Sequence, residues 1–118
     1  MRKVTLDITT AADGSATVDS TQNILGMVYA ILYKPGTIAT GATITVTSQG
    51  IFANPLLTKA SAGTADTMFY PRAFGNAVAD GAVQTDTTPP IVNGAPRVVV
   101  ASGGNGGVGK VIIYYWAD

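Results

Sequence analysis

The sequence predicts an all-β protein, an antiparallel β-sandwich or small barrel of jelly-roll type. It is read as about seven or eight short strands in a single domain over residues 1–118. Three observations lead there. Apolar and polar residues alternate over short segments, turn residues recur roughly every 8–12 positions, and no stretch of about ten residues or more carries a helical period. Composition agrees, because 16 Thr and 12 Val are stiff at χ1 and suit a pleated surface. The 17 Ala never fall into a segment long and periodic enough for a helix.

Val4, Leu6 and Ile8 alternate with Thr5, Asp7 and Thr9, the period of a half-buried strand. Asp13-Gly14 supplies a turn, after which Ser15 to Val18 is expected to pair back as a hairpin arm. Ile24 to Tyr33 (ILGMVYAILY) is nearly continuous in apolar residues. Such a run fits a strand covered on both faces or a buried helical segment, and its length, Gly26 and the Lys34-Pro35-Gly36 turn favour the strand. Thr43 to Thr47 alternates cleanly and should present hydroxyls to water on one face and Ile44 and Val46 to the core on the other. Between Ile51 and Tyr70, short strands are expected near Leu56 to Lys59 and Thr67 to Tyr70, limited by Pro55 and Pro71. Residues 72–96 are rich in Gly, Asp, Thr and Pro and read as a long surface excursion of the kind that carries contacts. Arg97 to Ala101 and Val108 to Trp116, joined by a glycine loop, read as a closing hairpin.

Seven Lys and Arg balance seven Asp, with no Glu, so the net charge is zero and the pI is near 6.0. Binding to nucleic acid or to an anionic membrane needs clustered cations, and neither partner is expected. The longest mostly apolar stretch is about half of a membrane-spanning helix, and the alternating residues after Arg2 and Lys3 do not form the apolar core of a signal peptide. A soluble protein is expected. Without Cys there are no disulfides or thiolate metal ligands, and the compartment stays open.

Catalytic chemistry finds little footing. With no His, a Ser-His-Asp triad, a His zinc site and a His general base are excluded. Neither SxxK nor GxSxG occurs, so an enzyme is not expected. Gly104 to Lys110 satisfies both GxGxxG and GxxxxGK. A phosphate loop, however, must open a helix, and the β-branched and aromatic Val111 to Trp116 follows instead, with Val111 where a Mg²⁺-binding hydroxyl would stand. Asp80 to Asp86 offers only the two ends of a calcium loop, and Asp13-Gly14 and Asp80-Gly81 read more simply as turns. No cofactor and no metal is expected.

The aromatic residues are more informative. Tyr114, Tyr115 and Trp116 are consecutive, so in a strand Tyr115 faces away from its neighbours. The plainer reading puts Tyr114 and Trp116 at the edge of the core, and the sharper one makes Tyr115 and Trp116 interface anchors. Met68-Phe69-Tyr70-Pro71-Arg72 combines the residue types of interface centres, and one strand cannot bury Phe69 on the same side as Met68 and Tyr70. The candidate interface set is therefore Met68, Phe69, Tyr70, Arg72, Tyr115 and Trp116. Charged residues make up only 12% of the chain, about half the usual share, and the mean hydropathy is +0.30, which argues that part of the surface is covered in an assembly.

Several segments in order also carry a likeness: Asp13 to Val18 (DGSATV), Tyr33 to Ala42 (YKPGTIATGA) leading into Thr43 to Thr47, Tyr70 to Ala73 (YPRA), and Arg97 to Gly109 (RVVVASGGNGGVG) before the last strand. Together they resemble small virion proteins of tailed bacteriophages, of the head decoration (cement) type. The likeness covers most of the chain, and its specificity lies in the order of the segments and in the chain length. It implies a non-enzymatic protein that stabilises a capsid shell by self-association, as a homodimer or homotrimer, and by contacts with the major capsid protein. It would be made in the host cytoplasm and would sit on the capsid surface of the virion. Contacts are expected in the N-terminal segment and in 72–96. The alternative is a tail or fibre module that binds a host receptor or carbohydrate, with Tyr115 or Trp116 stacking on sugar rings.

Overall fold

The structure, a computed structural model, describes residues 1–50, 53–76 and 83–117. Among these residues there are eleven strands and no helix: β1 (Arg2–Thr9), β2 (Ala16–Asp19), β3 (Ile24–Lys34), β4 (Thr43–Gln49), β5 (Ala53–Lys59), β6 (Thr67–Phe69), β7 (Ala73–Asn76), β8 (Val83–Thr88), β9 (Ile91–Gly94), β10 (Pro96–Ala101) and β11 (Val108–Trp116). They form two antiparallel sheets and a separate β7–β8 pair. The first sheet runs β1-β11-β3-β6, with β9 also on β3, and the second runs β2-β10-β4-β5. Successive strands β1 to β4 alternate between the sheets, as do β10 and β11, and the resulting eight-strand order is that of a jelly roll. The all-β sandwich is as expected.

The core lies between the inner faces. Val4, Leu6 and Ile8 of β1, Val28, Ile31 and Tyr33 of β3, and Val111, Ile113 and Tyr115 of β11 are buried there with Ile44 and Val46 of β4, Leu56 of β5 and Val98 and Val100 of β10. The alternation read in β1 and β4 is what buries one face of each. Tyr33 is fully buried, and among the described residues its hydroxyl has no hydrogen-bond partner. Burial also raises its pKa. A buried hydroxyl without a partner costs about 1–3 kcal/mol. Tyr33→Phe keeps the ring and is expected to raise stability by about 1 kcal/mol in chemical denaturation.

Four expectations are corrected. Among the described residues the strands number eleven, because residues 72–96 contribute β7, β8 and β9 rather than only an excursion. Their Gly, Pro and Thr content hid strands of four to six residues, too short to show a period. The Ser15 to Val18 arm does not pair with β1: β2 pairs with β10 in the other sheet, from Val100↔Ala16 to Arg97↔Asp19. The turn closes locally, with Ala11 N–H donating to Ser15 O at 2.9 Å, but Gly103 N–H donates to Gly14 O at 2.8 Å and ties the turn to the end of β10. Finally, the glycine loop does not close a hairpin, since β10 pairs with β2 and β4 while β11 pairs with β1 and β3. Residues 102–107 cross from one sheet to the other.

Other details fix the edges. Pro55 sits on β5 at the edge of the second sheet, next to a bulge in the β4–β5 pairing, where a missing N–H is tolerated. Ser48 is fully buried, and its hydroxyl donates to Asn93 O and accepts from Asn93 N–H at 2.7 Å, joining β4 to β9 across the two sheets. Arg97 donates to both carboxylate oxygens of Asp19, at 2.6 and 3.1 Å, at the point where β10 and β2 pair.

That hydrogen bonding, helped by the guanidinium charge, holds the Asp19 carboxyl below its usual range, and bonds from Ser15 do the same for Asp13. A carboxyl with a lower pKa in the folded state contributes stability above its unfolded pKa and loses it as pH falls through the folded value. Thermal unfolding is therefore expected to be flat between about pH 7 and 5 and to weaken below about pH 4, with a shallower acid limb in Asp19→Asn. Both residues are exposed, so solvent screens the interaction and the effect is small.

Candidate assembly surface

The two outer faces of the sandwich differ in chemistry. On the second sheet, cross-strand neighbours form the rows Thr17–Val99–Thr45–Thr58 and Asp19–Arg97–Thr47–Pro55, a surface of four threonines and an ion pair with Val99 and Pro55 among them. On the first sheet the rows read Thr5–Ile112–Leu32–Met68, Lys3–Tyr114–Ala30 and Trp116–Met27–Ile91. Apart from Thr5 and Lys3 on β1, these are all apolar or aromatic. Antiparallel sheets with one solvated face normally alternate apolar with polar residues, as the second sheet does. β3 instead presents Leu25, Met27 and Leu32 outward. The sequence pattern suggested a strand covered on both faces, and the outer side is covered at Ala30 but left open at Leu25 and Met27.

The exposure is large at one end, where Leu25 is 69% exposed, Ile91 53%, Met27 46% and Trp116 39%. A bulge shapes this end. Tyr114 pairs with Ala30 but Tyr115 pairs with Val28, so Tyr29 is the extra residue. Its ring stands edge-on to Trp116, with centroids 5.0 Å apart, and to Tyr70, 5.7 Å apart. The bulge falls between the segments of β3 paired with β9 and with β6. There Arg72 donates to the Tyr29 carbonyl at 3.4 Å and to the Pro71 carbonyl at 2.7 Å. Charges sit at the margins of the face: Lys34 and Lys110 pair across β3 and β11, and Lys110 lies 3.7 Å from Asp7. An apolar, aromatic centre with a charged rim is the anatomy of a protein–protein interface.

The structure divides the sequence-predicted residues. Met68, Tyr70, Arg72 and Trp116 are exposed on or beside this face. Phe69 and Tyr115 are not: Phe69 pairs with Ile31 and packs against the core, and Tyr115 is only 5% exposed within it. The plainer reading, with Tyr114 and Trp116 turned inward, has the phase reversed. Sequence reasoning missed Leu25, Met27, Tyr29 and Ile91. The signal was present in the unbroken apolar run of β3, but its outward half could be told from its inward half only with the bulge located.

Other candidate chemistry is placed as follows. The glycine loop leads into β11, and two of its amides point into the protein, Gly103 N–H to Gly14 O and Gly107 N–H to the Thr10 hydroxyl at 2.7 Å. That hydroxyl in turn donates to Gly104 O at 2.6 Å. The loop is a structural clasp, with the Gly103 and Gly107 amides used internally. Asp13 accepts from Ser15 N–H at 3.0 Å, which makes it the turn residue expected. Asp80 and the side chain of Asp86 lie outside the described residues. Among the described residues no group of three or more acidic side chains is arranged to hold a metal, and no helix is long and apolar enough to cross a membrane.

The chain matches no protein-family model, and no curated protein matches it. Among solved structures it is similar to a chain in the structure of infectious bursal disease virus Gx strain, with 16% identity and a TM-score of 0.35. The match covers 100% of this chain and spans 33% of that one. A likeness of that degree does not say what this protein binds.

Proposed function

We propose that the protein is a non-enzymatic virion component that decorates and stabilises a tailed-bacteriophage capsid shell through contacts with the major capsid protein and with copies of itself. The observation that carries this reading is the outer face of the first sheet. There a jelly roll of zero net charge leaves Leu25, Met27, Ile91 and Trp116 in water. Exposed apolar patches of this kind on small proteins mark interaction sites. The segments that resemble decoration proteins, and the low share of charged residues, support the same reading. Many copies, each adding a modest contact, sum to strong reinforcement of a shell.

The test is co-sedimentation of the purified protein with capsid shells of its own phage that lack it. Saturable binding at a defined copy number is expected, with binding lost in Met27→Ser/Trp116→Ala and particles lacking the protein less tolerant of heat and osmotic shock. Absence of binding, or particles of unchanged tolerance, would overturn the proposal. A second reading, a tail or fibre module for host carbohydrate, draws on the exposed rings of Tyr70 and Trp116. Glycan binding that disappears in Trp116→Ala, without shell binding, would establish it instead.

A further inference from the structure

We infer that β1 is a self-complementary edge at which two copies of this chain join, antiparallel about a two-fold axis through Thr5. The inference rests on the reading of the protein as one that assembles, and it names the surface and the partner. β1 is eight residues long and ends the first sheet. Its partner is β11 on one side, and among the described residues no strand pairs with its other edge. A groove runs along that open flank, lined by Lys3 to Asp7 on one side and Val18 to Gln22 on the other. A long edge strand offers its unpaired N–H and C=O groups as a template for another chain, and proteins that must stay monomeric blunt it with proline, bulges or repelling charge. β1 has no proline, and its pairing with β11 runs without a bulge from Arg2↔Tyr115 to Thr9↔Val108.

Its two central charges attract when the strand meets a copy of itself. Val4, Leu6 and Ile8 face the core, so Lys3, Thr5 and Asp7 share the outer face. Residues directly opposite in an antiparallel pair also share a face. Pairing about Thr5 therefore sets Thr5 against Thr5, Lys3 against Asp7 of the second copy, and Asp7 against its Lys3, while Val4 and Leu6 meet on the inner side. A slip of two residues either way, the smallest that keeps the faces in phase, puts Lys3 or Asp7 opposite Thr5 and loses the match. Opposite charges facing each other across strands stabilise a pair and like charges destabilise it, so the charges that would guard the edge against other strands select this one register. Asp7 also lies beside Lys110 of its own chain, and in the pair it would stand between two lysines. The two first sheets would then be continuous, and their apolar outer faces would form one broad surface.

Light scattering and sedimentation at about tens of micromolar are expected to give twice the chain mass of 12.0 kDa, with a dissociation constant that rises with salt because the exposed pairs are screened. K3D faces two acidic residues with two more, and D7K does the same with lysines, so each variant alone is expected to dissociate about tenfold or more readily. Mixed together, K3D and D7K restore both attractions and are expected to form a heterodimer as strong as the original pair. Both positions are exposed, and circular dichroism of each variant checks the fold. A monomer at these concentrations, a trimer, a dimer indifferent to K3D and D7K, or no recovery on mixing would overturn the inference. Shell co-sedimentation keeps the two readings apart. A charge-dependent dimer that ignores shells leaves this pairing standing and removes decoration, whereas a monomer that saturates shells does the reverse.

Discussion

Tyr115→Ala is expected to destabilise the protein by about 3–4 kcal/mol, while Trp116→Ala, one residue along, is expected to cost under about 1 kcal/mol. Both residues are large and aromatic, and they differ in the face of β11 from which they project. Tyr115 pairs with Val28 and is 5% exposed inside the sandwich, where truncation leaves a cavity that rigid neighbouring strands cannot close. Trp116 pairs with Met27 on the outer face and is 39% exposed, so its removal forfeits mainly the edge-on contact with Tyr29. Urea denaturation monitored by far-UV circular dichroism reads the difference. Comparable losses of stability in the two variants would show that Trp116 is a core residue and would remove the basis for treating its face as an interface.

Gly26→Ala is expected to cost about 2–3 kcal/mol and, if the proposed shell contact exists, to weaken it through Met27 and Trp116. The reason is a close approach of backbones. A Cβ on Gly26 would collide with the Trp116 carbonyl oxygen and press within 3.2 Å of the Tyr115 ring. Neither the strand backbone nor a buried ring can yield without moving the end of β11. That end carries Trp116 and lies opposite Met27, so the damage would extend to the proposed contact surface. Gly41→Ala is the control. A Cβ there meets nothing within 4 Å, and a change within about 0.5 kcal/mol is expected. Equal losses at the two glycines would mean that close approach does not govern the cost at Gly26, because chain entropy by itself favours alanine at both positions.

Much of the strand content was legible because its cause is local. Val4, Leu6 and Ile8, and likewise Ile44 and Val46, alternate with polar residues, and period 2 by itself buries one face of a strand. That Phe69 faces away from Met68 and Tyr70 was legible for the same reason, but not that Phe69 is the one turned inward. The same rule applied to Tyr114, Tyr115 and Trp116 gave the alternation but not its phase, because phase depends on which strands pair and where a bulge falls. The bulge at Tyr29 shifts the β3–β11 register by one residue, and no residue type announces it.

The sequence by itself determined an all-β chain without His or Cys, poor in charge and carrying one strand apolar on both sides. Those properties follow from residue type and spacing, which act over a few neighbours. Only the tertiary structure decided that β2 joins β10 rather than β1, that the glycine loop crosses between sheets, and that the apolar residues Met27, Ile91 and Trp116, far apart in the chain, form one open row. Strand partnership is a long-range choice, made by the packing of the whole core and by contacts such as Gly103 N–H to Gly14 O and the Ser48 hydroxyl with Asn93, and a local pattern does not encode it.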